Sequence, residues 1–186
     1  MSEALLVMDM QVGIVDRLGE RAHDILANVG AALSAAREHG LAVVFVRVAF
    51  RDGAPEISSN NKAFSSAASS ASLGETNPAT QIHPSLAPRG GEVLVTKRRV
   101  SAFAGSDLDV VLRSLGVDEL VLTGLATSGV VLSTTRQAAD LDFRLTVLRD
   151  ACADADDEVH RVLTEKVFPR QATVVTTAEW VAELHN

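Results

Sequence analysis

Asp9 in VMDMQ, Lys97 in TKRRVSAF and the hydroxyl-rich stretch TGLATSGVVLSTTR at 123–136 each end or follow a short apolar run. A carboxylate and an ammonium brought together can work on a carbonyl: the carboxylate moves a proton and the ammonium supports the charge that develops. The third stretch reads as a strand end, a small-residue turn and a helix start. In parallel α/β sheets ligands gather outside such strand ends. It carries hydroxyls and no thiol. Thr127 and Ser128 are weak nucleophiles without a positioned base. Ser128 is expected as the helix N-cap, and Thr127 as a partner for backbone groups of the turn. The one cysteine, Cys152, follows the next apolar run and is expected on the same sheet edge as a small buried hydrophobe.

The elements that must position these residues alternate. ALLVMD, LAVVFVRV, EVLVTK, ELVLTG, RLTVLRD and ATVVT are apolar runs without a polar alternate face. Between them lie helical segments at 20–39, near 106–115, from about 128, near 156–167 and at the end of the chain. Strands of that kind are buried on both faces. The pattern predicts a three-layer α/β fold, a doubly wound and mainly parallel six-stranded sheet with helices on both sides. In the first long helix Ile25, Val29, Leu33 and Ala36 form one stripe, and Gly40 is its C-terminal stop. From about 50 to 88 the rhythm lapses into a long loop, read as a lid, a binding or oligomer-contact segment, or a disordered one. Within it NNKAFSSAASSAS would tolerate a helical turn or two.

With 186 residues, 47% of them hydrophobic, the chain suits one domain over 1–186. A formal net charge of -7 repels a phosphate backbone, and the basic residues cluster only at Lys97, Arg98 and Arg99, so no nucleic-acid partner is expected. The apolar run LAVVFVRVAF is short and interrupted by Arg47, so no membrane-spanning segment is expected. A single cysteine allows no intrachain disulfide, and Met1 leads directly into a strand; a cytoplasmic protein is expected. His23, His39, His83, His160 and His185 are scattered rather than clustered, so neither a metal site nor a cofactor is expected. For a small-molecule substrate, Gln11, Thr127 and Ser128 are contact candidates from their place at strand tips. Arg51, Arg98 and Arg99 could grip a carboxylate through their planar forks or form a solvated rim, and Phe50 and Phe103 could supply apolar walls.

Taken in order, DMQ, KRRVSAFAGSDLDVVLRSLG, LVLTGLATSGVVLSTTRQAADLDF, VLRDACADADDEVH and ATVVTTAEW cover nearly the whole chain. This set resembles the isochorismatase-like superfamily, also called the cysteine hydrolases, which includes nicotinamidases, N-carbamoylsarcosine amidases and isochorismatases. The resemblance implies that Asp9 takes a proton from a nucleophilic thiol and that Lys97 supports the charge. It also implies a cis peptide at Leu125–Ala126, with the amides of Ala126 and Val130 receiving an oxyanion. Aligning Gly124 and Thr127 to the family pattern puts Val130 where the thiol should be. Here the chain departs from the cysteine-using members. The isochorismatase branch works without the cysteine, an aspartic acid protonating a vinyl ether, and Asp9 matches that part. Nicotinamidases hold a metal on an Asp and His cluster after the second strand, where VRVAFRDGAPE offers no histidine. Members commonly form homo-dimers or homo-tetramers. Two functions are therefore expected: a small-molecule hydrolase acting through Asp9 and Lys97 without a cysteine nucleophile, or a catalytically silent ligand-binding or interaction protein.

Overall fold

The computed structural model describes residues 2–65 and 73–185. Its strands are β1 (Glu3–Met8), β2 (Ala42–Val48), β3 (Val93–Lys97), β4 (Glu119–Leu125), β5 (Arg144–Ala153) and β6 (Thr173–Val175). The α-helices are α1 (Val12–Val15), α2 (Ala22–Glu38), α3 (Leu108–Ser114), α4 (Leu132–Asp140), α5 (Asp157–Val162) and α6 (Thr177–Leu184). The strands lie in the order β3-β2-β1-β4-β5-β6, and every neighbouring pair is parallel. The chain first winds outward from β1 to β3, then returns to place β4 on the other side of β1. The switch point therefore falls between the tips of β1 and β4, where Asp9 and the 126–131 turn emerge.

Alternation along β1 divides the core. Ala4, Leu6 and Met8 join Leu108 and Leu112 of α3 and Ala138 of α4 on one face, while Leu5 and Val7 join Val29, Leu33 and Ala36 of α2 and Trp180 of α6 on the other. Helices cover both faces, so the central strands β1 and β4 have no solvent side on which to carry polar residues. Burying each of the larger side chains contributes about 1.5–3 kcal/mol. The Ile25, Val29, Leu33, Ala36 stripe packs as expected, and Gly40 follows α2 with φ 68°, a left-handed stop that favours glycine. At α6 Thr176 accepts from the Glu179 amide and Glu179 accepts from the Thr176 amide, a reciprocal cap.

Three expectations change in detail. The helix read over 156–167 is regular only to Val162; a wide turn at Leu163–Val167 and a tight one at Phe168–Arg170 follow, and Pro169 has no N–H with which to continue a helix. The long loop is pinned in its described parts: Phe50 bridges Gly74, Gln11 bridges Ile82, and Pro78 and Pro84 each open a single helical turn. The helical expectation over NNKAFSSAASSAS reaches residues 66–72, which lie outside the described residues; before them Phe64 and Ser65 close a turn on the carbonyl of Asn61. Finally, β5 runs to Ala153 and makes a detour. Leu122 of β4 faces Val147, but Gly124 faces Cys152, so β5 uses five residues where β4 uses two. Among the described residues no helix is long and apolar enough to cross a membrane.

Candidate active site

Lys97 ends β3 and Asp9 follows β1, with the tip of β2 between them. The lysine stem spans that gap: Lys97 Nζ lies 2.9 Å from Asp9 Oδ2, with the side chains 2% and 7% exposed. Nζ also donates to the carbonyl of Arg99 at 2.9 Å. Asp9 turns the chain at φ 56°, a conformation aspartate tolerates better than most residues, and its amide donates to the Val46 carbonyl at 2.8 Å. Its other oxygen, Oδ1, is buried and has no hydrogen-bond partner among the described residues. Burial pushes the Asp9 carboxyl above its ordinary value of 3.8, with Lys97 pulling the other way. The pair thus holds one tethered oxygen and one buried oxygen without a hydrogen-bond partner among the described residues.

The second half of the site is the turn after β4. The Leu125–Ala126 peptide bond is cis, as the resemblance implies. The Ala126 carbonyl accepts from the amides of Gly129 at 3.1 Å and Val131 at 3.3 Å, bonds that straddle Val130. Gly124 lets β4 lie against β1: a Cβ there would come within 2.8 Å of the Met8 carbonyl oxygen and 3.4 Å of a Val130 methyl. Val130 is buried next to Gly124, in the same core cluster as Met8.

The reading of Ser128 as N-cap is corrected. The capping position is Ala126, and Ser128 sits exposed inside a wide first turn whose Gly129 leaves helical geometry. A carboxylate from elsewhere does the capping: Asp154, just beyond β5, accepts from the Ser128 amide at 2.7 Å. Burial raises the Asp154 carboxyl, but hydrogen bonds with Ser128 and with the backbone of Asp156 and Ala155 together outweigh that and hold it below the ordinary value. Thr127 also differs from expectation. Its hydroxyl meets the ring nitrogen Nδ1 of His160 at 2.8 Å rather than backbone groups of the turn. The sequence signal for both partners was the run DADDEVH directly after β5.

Gln11, expected against substrate, is committed to backbone. Its Oε1 accepts from the Val48 amide at 2.8 Å, and its Nε2 donates to the carbonyls of Val48 and Thr80 at 2.9 Å each. It fastens the tip of β2 to the long loop. Arg98, expected to grip a substrate carboxylate, already holds the Ala49 carbonyl and the Glu75 carboxylate, and its Nε lies 3.5 Å from Glu56. Arg51 pairs with Glu56 as well but stays largely exposed, and Arg99 donates to the Arg98 carbonyl at 2.6 Å. The loop's own acidic residues occupy the forks. Phe103 is core, packed against Phe143 with ring centres 6.0 Å apart, and buried Phe50 packs edge-on against Phe64. Among the described residues no group of three or more His, Cys, Asp or Glu side chains is placed to hold a metal ion.

Cys152 lies opposite Gly124, buried, with Sγ 4.0 Å from the Leu122 carbonyl. Burial pushes its thiol up to about 12. Because only the thiolate reacts, iodoacetamide at pH 8 is expected to label Cys152 in the folded protein about 10³-fold more slowly than in denaturant, read by mass spectrometry. Comparable rates in the two states would place the thiol outside the core.

Comparison with known proteins agrees with this fold. The family model described as the isochorismatase domain matches residues 3–179. The isochorismatase family protein YwoC of Bacillus subtilis is 34% identical over 97% of this chain and 93% of its own length. A ureidoacrylate amidohydrolase of Stutzerimonas stutzeri is 32% identical over 83% of this chain and 71% of its own. Among solved structures, a cysteine hydrolase from Pseudomonas syringae pv. phaseolicola superposes with a TM-score of 0.91 at 25% identity, over 98% of this chain and 92% of that one. With the isochorismatase model matching residues 3–179, a relative 34% identical over 97% of the chain and the six-stranded parallel sheet, the chain belongs to the isochorismatase family of hydrolases.

Proposed function

We propose that the protein hydrolyses a small amide or carbamoyl compound through Asp9 and Lys97 with no covalent cysteine step, Val130 standing at the position of the family thiol. The observation that carries this reading is the buried Asp9–Lys97 pair, with Oδ2 tethered at 2.9 Å and Oδ1 without a partner among the described residues. Oδ1 takes a proton from a water molecule whose oxygen attacks the substrate carbonyl carbon. The charge that moves onto the carbonyl oxygen meets the amides of Ala126 and Val130. As the intermediate collapses, the C–N bond breaks and the leaving nitrogen takes the proton back from Asp9. Lys97 keeps the carboxylate oriented throughout. The ureidoacrylate amidohydrolase among the relatives supports a C–N bond as the target.

The upward push on the Asp9 carboxyl favours a second reaction at the same place, protonation of a vinyl ether by the neutral acid. A panel of amides, carbamoyl compounds and enol ethers tests both. One class is expected to be turned over, and Asp9→Asn is expected to lower kcat by at least about 10²-fold. Inactivity on every class, or turnover indifferent to Asp9→Asn, would overturn the hydrolase reading in favour of a silent ligand-binding protein.

A further inference from the structure

We propose that His160 is a positioning residue for this site: its Nδ1 holds the Thr127 hydroxyl and so fixes the Ala126–Val131 turn. The functional consequence rests on the reading above, which assigns the Ala126 and Val130 amides to the oxyanion. Thr127 is fully buried directly after the cis bond, so its hydroxyl needs a partner inside the protein. His160 supplies it at 2.8 Å. The next residue, Ser128, is held by its amide on Asp154 at 2.7 Å. Two consecutive residues of the turn are therefore gripped by one arm of chain, residues 154–160, that contributes no atom to the proposed reaction.

The arm is anchored in turn. Arg21 donates to the Asp154 carbonyl at 2.8 Å and pairs with Asp157, while Asp156 caps the start of α5 by accepting from the amides of Glu158 and Val159. The imidazole is half-buried between two cavities of about 410 and 340 Å³. Charged groups face it from several elements: Asp154 beyond β5, Asp157 at the start of α5 and Arg21 before α2 act on it directly, and Arg149, Asp150, Arg161, Glu165 and Asp24 line the same cavities. Burial holds the ring below its usual 6.5, with Asp154 and Asp157 opposing that and Arg21 adding to it. At neutral pH the ring is uncharged, and with its proton on Nε2 the Nδ1 atom accepts the Thr127 hydroxyl. Protonation makes Nδ1 a donor and reverses the bond, so the turn must readjust.

Since the folded state holds the neutral ring, the unfolded chain binds this proton more readily, and the contribution is lost as pH falls from 6.5 through the lower folded value. The direct test is a ¹H–¹⁵N NMR titration of the whole chain from pH 8 to pH 4.5. The amides of Ala126, Ser128 and Val130 are expected to shift with the midpoint of the His160 ring. In Thr127→Val they are expected to stop following it while the ring still titrates, and in Thr127→Ser, which keeps the hydroxyl, to follow it again. Amides that ignore the His160 midpoint, or that follow it unchanged in Thr127→Val, would overturn the proposal whether or not a substrate is known.

With a substrate from the panel, His160→Gln is expected to lower kcat about tenfold at nearly constant KM, and the His160→Gln/Thr127→Val pair to be no worse than either single change. Additive losses, or a change in KM alone, would count against positioning. Coupled titration in a protein inactive on the whole panel would leave His160 in this place and remove the hydrolase reading, so the two failures are told apart.

Discussion

Val130→Cys is expected to raise hydrolysis of amides or carbamoyl compounds by on the order of 10²-fold or more over the unaltered chain, the scale on which a positioned base and a prepared oxyanion site each act. The slot accepts the change, since cysteine is smaller than valine and Val130 is buried beside Gly124 at the switch point. By the proposed mechanism a thiol there gives its proton to Asp9, while Lys97 favours the resulting charge. The thiolate attacks the carbonyl carbon, a C–S bond forms as the C–N bond breaks, and water then releases the acyl group. Ammonia release measures the gain. The pH dependence of alkylation at position 130 supplies a check that needs no substrate: its midpoint should fall below the ordinary thiol value of about 8.5. An ordinary midpoint together with no hydrolysis would show that Asp9 and Lys97 do not address this position.

Lys97→Met is expected to cost about 3–5 kcal/mol of stability at neutral pH, because it strips the Asp9 carboxylate of its ammonium inside the protein. Asp9→Asn combined with Lys97→Met should recover most of that loss, since asparagine keeps the left-handed backbone and removes the stranded charge. The pH dependence has a definite sign. Asp9 already sits above its ordinary 3.8 and rises further without Lys97, so the folded state prefers the neutral acid. The penalty in Lys97→Met is then small below the ordinary value and grows as pH rises from there through the folded one. Denaturant unfolding of the three proteins at pH 4 and pH 7 measures it. Equal losses at the two pH values, or no recovery in the double variant, would mean that the pair is not the coupled buried unit its 2.9 Å separation describes.

The strands and their parallel order were legible because each is a run of Val, Leu and Ile with no polar face, a pattern only a sheet covered on both sides allows. Asp9 and Lys97 were legible because they stand at strand tips, where topology rather than local propensity chooses neighbours. Gln11 was read from its place at a strand tip and Arg51 and Arg98 by residue type, and neither says what a polar side chain meets. Their partners are the Val48 and Thr80 backbone and two carboxylates of the long loop, contacts made across 37 or more residues for Gln11 and 23 for Arg98 and Glu75. The Ser128 cap failed for a similar reason. A neighbouring strand supplied Asp154, and Gly129 let the turn widen past the ordinary capping geometry.

The detour in β5 sets a length. Between the partners of Leu122 and Gly124 the strand inserts extra residues, and among them Asp150 accepts from the Thr177 amide at 2.7 Å. Only after them does the chain return beside Gly124, with Asp154 two positions further on at the Ser128 amide. Those residues act as a spacer whose measure is their number. Side-chain exchanges within them leave the gauge intact, whereas dropping or adding a single residue would slide the anchoring aspartate, and every group behind it, out of step with the strand it serves.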